Sequence, residues 1–189
     1  MKKELRTVVY DEDLHIEAYR FEGFVRPFPN HFHEYYVIGY LESGQRALSC
    51  MEQEYSLRPG NILLFNPGDS HACTQSDGGT LDYRGLNLSK EVLLDWMEAA
   101  DGAQELPVFS PHVILDTETA SCLRTLHELV MNGFQGPEKE ESLLLLVSLL
   151  MQKYGQSPSR PLFQHQAEVE AVCAFIQDRY AEHISLDQL

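Results

Sequence analysis

Two regimes of hydrophobic spacing divide the chain. Up to about Leu88, apolar residues come in short, alternating runs: Leu14 to Phe21, Tyr35 to Leu41, Arg46 to Met51, Ile62 to Phe65, His71 to Gln75 and Leu81 to Leu88. Turn chemistry separates them at Glu42-Ser43-Gly44, Arg58-Pro59-Gly60-Asn61, Asn66-Pro67-Gly68-Asp69 and Asp77-Gly78-Gly79. Short strands at such intervals predict a β-sandwich or barrel.

From Ser89 onward the period is helical. Ser89 can cap a short helix through Glu98 that ends at Asp101-Gly102, and Pro107 to Leu115 returns to extended chain. A longer helix starts near Thr117, carries Leu123, Leu126, Val130 and Phe134 on one stripe, and stops at Asn132-Gly133. Another opens on Pro137 with Glu138, Glu140 and Glu141 in its first turn and ends at Tyr154-Gly155. Its Leu143 to Leu150 run puts apolar residues on more than one face. Two readings follow: Leu143, Leu146, Val147 and Leu150 meet a second subunit, or the helix is simply wedged in the core. Gln156 to Leu162 reads as a polar, Pro-containing linker. Beyond it Val169, Val172, Cys173, Ile176 and Tyr180 predict an amphipathic helix over Ala167 to Glu182, and Ser185 with Gln188 is a capping-box pattern that opens another.

Length and composition change this picture little: 189 residues with 43% hydrophobic content suffice for one ordinary domain plus an appendage. The charged opening has no apolar h-region and no stretch approaches a membrane span, so a cytoplasmic location is expected. Cys50, Cys73, Cys122 and Cys173 lie far apart without a C-x-x-C pair, which predicts free thiols. The net charge of -15 repels phosphate backbones, so the bulk of the chain should not bind nucleic acid strongly.

The candidate chemistry lies between residues 31 and 75. Strand alternation puts His31, His33 and Tyr35 on one side and Phe32, Glu34 and Tyr36 on the other. A later Pro67-Gly68-x-x-His71 loop brings a third imidazole toward the same site. Such a lining, with Arg46 and Tyr83 as further candidates, suits a sugar or another small polar metabolite. The register leaves the faces of Arg46 and Tyr83 open, and the histidines can equally be wall residues bonded to tyrosines or backbone.

The pattern HFHEYYVIGYLESG followed by LRPGNILLFNPGDSH, then paired helices, then VEAVCAFIQDRYAEHISLDQL, resembles the N-terminal half of AraC/XylS-type transcriptional regulators over nearly the whole chain. The resemblance implies a mainly β fold with C-terminal helices: a cupin-like (double-stranded β-helix or jelly-roll) effector-binding barrel over residues 1–115 and an antiparallel helix pair for dimerisation over 116–156. Residues 157–189 would be a linker and the start of a helix-turn-helix domain. It also implies a homodimer that senses a small-molecule effector through no enzymatic step, without contact to membranes, and touches DNA only through a C-terminal domain beyond these residues. Effector entry would order an N-terminal arm, Lys2 to Asp13, or shift the helix pair.

Two departures bear on cofactors. Metal-binding cupins usually place a Glu where this chain has Val37 and Ile38, while Glu34 points away; and Asn66 stands where Pro is common. No cofactor is therefore expected, although His31, His33 and His71 make a three-nitrogen set for a divalent metal. The competing reading is a metal-dependent cupin oxygenase or isomerase built on those three ligands; a third is a dimerisation scaffold without effector.

Overall fold

The alternating runs form strands and the 3.6-residue periods form helices in the computed structural model of the chain, which describes residues 4–76, 78–157 and 166–185. The β region comprises β1 (Leu5–Asp11), β2 (Ile16–Phe24), β3 (Phe28–His31), β4 (Tyr36–Ser43), β5 (Arg46–Cys50), β6 (Gln53–Leu57), β7 (Ile62–Phe65), β8 (His71–Gln75) and β9 (Leu81–Leu88). There follow α1 (Lys90–Asp101), β10 (Val108–Phe109), β11 (Val113–Ile114), α2 (Thr117–Met131), α3 (Pro137–Tyr154), β12 (Gly155–Gln156) and α4 (Gln166–Arg179).

Among the described residues, one antiparallel sheet runs β1-β2-β9-β4-β7-β11 and a second runs β3-β8-β5-β6, with β10 and β12 as a small third pair. This is the expected cupin-like barrel followed by a helix pair. The larger sheet has two covered faces because successive side chains alternate. Ile16, Ala18, Ile38, Leu64 and Leu86 face the helices and share a core with Leu93, Leu123, Leu126 and Leu146. Tyr19, Phe21, Val37, Leu41, Leu63, Phe65 and Tyr83 face the smaller sheet and share a core with Leu48, Cys50 and Leu57. Barrel and helix pair thus form one compact unit up to Ser157. Each fully buried leucine contributes roughly 1.5–3 kcal/mol to it.

Local chemistry places the helix ends where the sequence predicts. The Ser89 hydroxyl accepts from Val92 N–H at 3.2 Å, and Gly102, at φ 77°, takes the left-handed conformation that ends α1. Asp116 caps α2 by accepting from Thr119 N–H at 2.9 Å, and Pro137 opens α3.

Three expectations need correction. Leu5–Asp11 is no loose arm: it is an edge strand paired with β2 along its length, from Leu5 against Glu22 to Asp11 against Ile16. Phe134 does not continue the α2 stripe, because the helix stops at Met131 and Phe134 is 38% exposed. And Leu143, Leu146, Val147 and Leu150 are not an interface in waiting. All four are fully buried within the chain's own core, packed with α1, α2 and the larger sheet, so none offers surface to a partner. The large apolar residue that α3 does present outward is Leu145, 54% exposed.

Residues 158–189 make a separate unit, of which α4 is the described helix, with Val169, Ile176 and Tyr180 exposed. Most of the linker and the end of the Ser185–Gln188 capping pattern lie outside the described residues. Among the described residues no helix is long and apolar enough to cross a membrane.

Candidate functional site

Between the two sheets lies a cavity of about 260 Å³. His31, His33, Tyr35, Arg46, His71 and Tyr83 all line it. His31 ends β3 and pairs with His71 at the start of β8, so the sheet register itself juxtaposes the two imidazoles, whose centroids lie 4.3 Å apart. Residues 32–35 leave the strand, yet the alternation persists: His33 and Tyr35 are half-buried while Phe32 and Glu34 are exposed. Gly68 N–H donates to His33 carbonyl oxygen at 2.8 Å, which docks this segment on the Pro67-Gly68 loop. His33 then stacks on Tyr35 at 4.9 Å, and His71 stacks on Phe65 at 3.9 Å.

The tautomers of two rings follow from their partners. A carbonyl oxygen only accepts, so His71 Nδ1–H donates to Asp69 O at 2.9 Å and His31 Nδ1–H donates to Pro29 O at 2.6 Å. Each keeps a bare Nε2. Burial pushes the His71 pKa down to about 4, with the neighbouring His31 and His33 adding to the effect against the Asp69 carbonyl. His33 is lowered for the same reasons, burial first and His31 second. Burial thus favours the neutral form of His33 and His71, which makes this end of the cavity an acceptor-rich pole.

Arg46 occupies the other end of β5. Arg46, Leu48 and Cys50 alternate inward, and the guanidinium is 1% exposed. Its Nη2 donates to Phe24 O at 2.8 Å and its Nη1 to Gln45 O at 3.0 Å, while Nε has no partner. Tyr83 and Tyr19 sit side by side in the cavity wall with their hydroxyls hydrogen-bonded to each other, and burial raises both phenols well above their ordinary range. Glycines make the room: β4 and β9 place Gly39 opposite Gly85, under Tyr83 and Tyr19 respectively.

The chain matches the AraC-like ligand binding domain family over residues 15–153. It belongs to that family. Over 190 residues it is also 44% identical to YbfI of Bacillus subtilis (strain 168), described as an uncharacterized HTH-type transcriptional regulator, covering 100% of this chain and 69% of that protein. Solved structures similar over 47% of the chain include a cupin superfamily protein from Desulfitobacterium hafniense, 13% identical with a TM-score of 0.40 over 79% of its length. Another is an RmlC-like cupin with a double-stranded β-helix fold from Methanocaldococcus jannaschii, 14% identical with a TM-score of 0.39 over 84% of its length.

In this AraC-like ligand binding domain several cavity residues carry no motif in the sequence: Arg6, Glu17, Tyr19 and Phe21 among them. The period-two run Glu17-Tyr19-Phe21 was their one local signal, and it shows an inward face only once β2 is known to be central. Two donor clusters have metal-ligand spacing among the described residues. The ligand atoms of His31, His33 and His71 lie within 4.8 Å of one another, and so do those of Cys50, Asp69 and His112. Glu34, being exposed, adds no carboxylate to the first. The second is already engaged as a structural node: Asp69 Oδ2 accepts from Asn66 N–H at 2.8 Å and Asn66 Nδ2 at 2.9 Å, and His112 Nδ1 lies 3.1 Å from Leu64 O. Asn66 also accepts from Phe109 N–H at 2.7 Å, which pins β10 to the loop.

Buried polar contacts tie the cavity walls to the helices. His127 Nε2 on α2 donates to Tyr19 O at 2.9 Å. Arg84, beside Tyr83 on β9, pairs with Glu42 at 2.6 Å and with Glu128 of α2 at 3.2 Å. Lys139 of α3 is fully buried and binds Asp11 at 2.7 Å and Asp13 at 2.8 Å, clasping the β1 side of the β1–β2 turn.

Proposed function

We propose that this domain senses a small metabolite in the barrel cavity and reports its arrival through the helix pair, as the effector-binding part of a transcriptional regulator. One observation carries this reading: a cavity that mixes aromatic rings with converging imidazole, phenol and guanidinium groups is backed by walls joined directly to α2. Pockets of this kind suit a polar metabolite, sugars included. A ligand that favours one arrangement of those walls shifts the helices by its differential affinity, which is all that signalling requires. The relative's description as an HTH-type regulator supports a role upstream of DNA binding, and the charge of -15 argues that DNA is met by another part of the protein. Homodimerisation and a cytoplasmic location belong to the same reading. No chemical turnover does.

The test is calorimetry and thermal shift against a metabolite panel. A ligand at 100-fold its dissociation constant should stabilise the fold by about 2.7 kcal/mol. His33→Ala or His71→Ala is expected to weaken binding at least tenfold while leaving the circular dichroism unchanged; full retention moves the site elsewhere.

A second reading is favoured by the imidazole cluster alone. Three histidines with ring nitrogens within 4.8 Å of one another suit a divalent metal, which would supply Lewis-acid polarisation of a bound oxygen ligand. His31, His33 and His71 would hold it. Elemental analysis of purified protein decides: one equivalent of iron, manganese or zinc that is lost in His71→Ala supports the metal, and a trace amount removes it.

A further inference from the structure

Among the described residues the arginines differ in their partners, and the exposed Arg58 and Arg179 pair with no carboxylate. Arg20, Arg26, Arg84 and Arg124, all outside the cavity, each have a carboxylate partner, at 3.0, 3.7, 2.6 and 3.3 Å. The two that line the cavity, Arg6 and Arg46, have none among the described residues. In a chain with 29 acidic and 14 basic residues this is not for want of acids. Arg6 lies over the Phe21 ring, 5.3 Å from its centroid, at the exposed edge strand. Arg46 is fully buried and its guanidinium meets only backbone carbonyls, leaving Nε–H and one Nη2 hydrogen without a partner. A buried cation without an anion is costly, because its desolvation is not offset by Coulomb attraction.

The cavity is also polarised along its length. Arg46 pairs with Gln75 on β8 and Cys50 pairs with His71, so the guanidinium and imidazole ends are four residues apart, roughly 13 Å at a rise of about 3.3 Å per residue. Glu17, held by Asn87 Nδ2 at 2.7 Å, lies at the imidazole end, since Asn87 also pairs with Val37 beside the His33-Tyr35 segment. An anion is repelled there and attracted at the other end. Between the poles the wall is apolar: Tyr19, Phe21, Leu48, Leu63 and Tyr83.

We infer that the effector is a small organic acid, its carboxylate on Arg46, its apolar body among these rings, and a hydrogen-bonding group at the imidazole end. The inference rests on the sensing reading above and narrows it. A planar carboxylate matches the unused side of the guanidinium fork, and Arg46 as the one buried cation of the lining, with Glu17 in the same cavity, disfavours a phosphate dianion. Glu17 at the imidazole end leaves Arg46 as the anchor.

The experiment is titration calorimetry on the full chain with a panel of six- to ten-carbon aliphatic and aromatic monocarboxylates, each paired with its primary amide, and with D-glucose as a neutral polyol. At least one acid is expected to bind ten times more tightly than its amide and than glucose. Arg46→Gln should lower that acid's affinity at least tenfold and leave the amide's unchanged, with Arg46→Lys intermediate. Amides or glucose binding as tightly as the acids, or Arg46→Gln without effect on the acid, overturns the inference. Should Arg46→Gln fail to fold, the acid-to-amide ratio in the unmodified chain and Arg46→Lys still decide. Val37→Phe, which narrows the cavity, separates the two levels. Neutral ligands lost in Val37→Phe retain the sensing reading without the anion; no binding by any probe sinks both.

Discussion

A methyl group at Gly39 would sit 1.5 Å from the Tyr83 hydroxyl, and one at Gly85 would sit 2.4 Å from the Tyr19 ring. Both rings are buried and lie against each other, so neither moves without cost. Gly39→Ala and Gly85→Ala are therefore expected to destabilise the domain by about 1–3 kcal/mol or more through overpacking, read as a lower urea midpoint, and to displace a phenol into the ligand space. An unchanged midpoint would mean the rings have another resting place. His71 and His127 set a pH dependence at the same scale. Burial holds both imidazoles at a pKa of about 4, below the ordinary 6.5, so between those values the unfolded chain binds more protons than the folded one. Stability is complete above pH 6.5 and falls as pH drops toward 4. Urea midpoints at pH 7, 5.5 and 4.5 should descend in that order, and His127→Gln should flatten the slope. At this scale the histidines were legible because His31, His33 and His71 sit in short local motifs, whereas the face of Arg46 depends on the register of β5. The glycines were invisible: Gly39 within YVIGYLESG reads as a flaw in a strand, and only the opposing sheet position shows what it accommodates.

At the scale of elements, the starts of α1, α2 and α3 were legible because capping chemistry is local: Ser89 and Pro137 open helices where expected, and Asp116 caps the one expected near Thr117. Strands β1, β3 and β6 were not. LRTVVYD and QEYSL carry too many polar side chains to show alternation, and FPNH contains a Pro tolerated because β3 is a sheet edge; their order comes from partners distant in sequence. The leucines of α3 show the limit of periodicity most clearly, since burial on several faces was readable but the identity of the cover was not. Two expectations follow. Leu145→Glu should leave the fold intact, and light scattering should report a monomer if α3 forms the dimer contact; a retained dimer relocates that contact. Lys139→Met, by contrast, strands the buried Asp11 carboxylate without its cation and should cost about 3–5 kcal/mol. Faster amide exchange in β1 than in β4 should accompany it, because only β1 is held by that clasp.

For the whole molecule, the decisive feature is that the larger sheet is shared by two cores: one face forms the cavity and the other carries the helices. Alternation makes neighbouring residues belong to opposite sides, so Tyr83 touches the ligand space while Arg84 touches α2, and Tyr19 lines the cavity while its own carbonyl is held by His127. A ligand that displaces either phenol acts on the strands that α2 grips. This coupling is separable from binding itself, since His127 does not line the cavity. His127→Ala is therefore expected to leave ligand affinity within about threefold, an allowance below the coupling free energies of 1–3 kcal/mol typical of linked sites. Ligand-induced protection of α2 amides in hydrogen exchange should nevertheless disappear, while protection of β2 and β9 persists. If α2 remains protected in the variant, the Arg84–Glu128 pair or the Lys139 clasp carries the signal instead; if affinity collapses with the protection, His127 supports the cavity wall and is no relay.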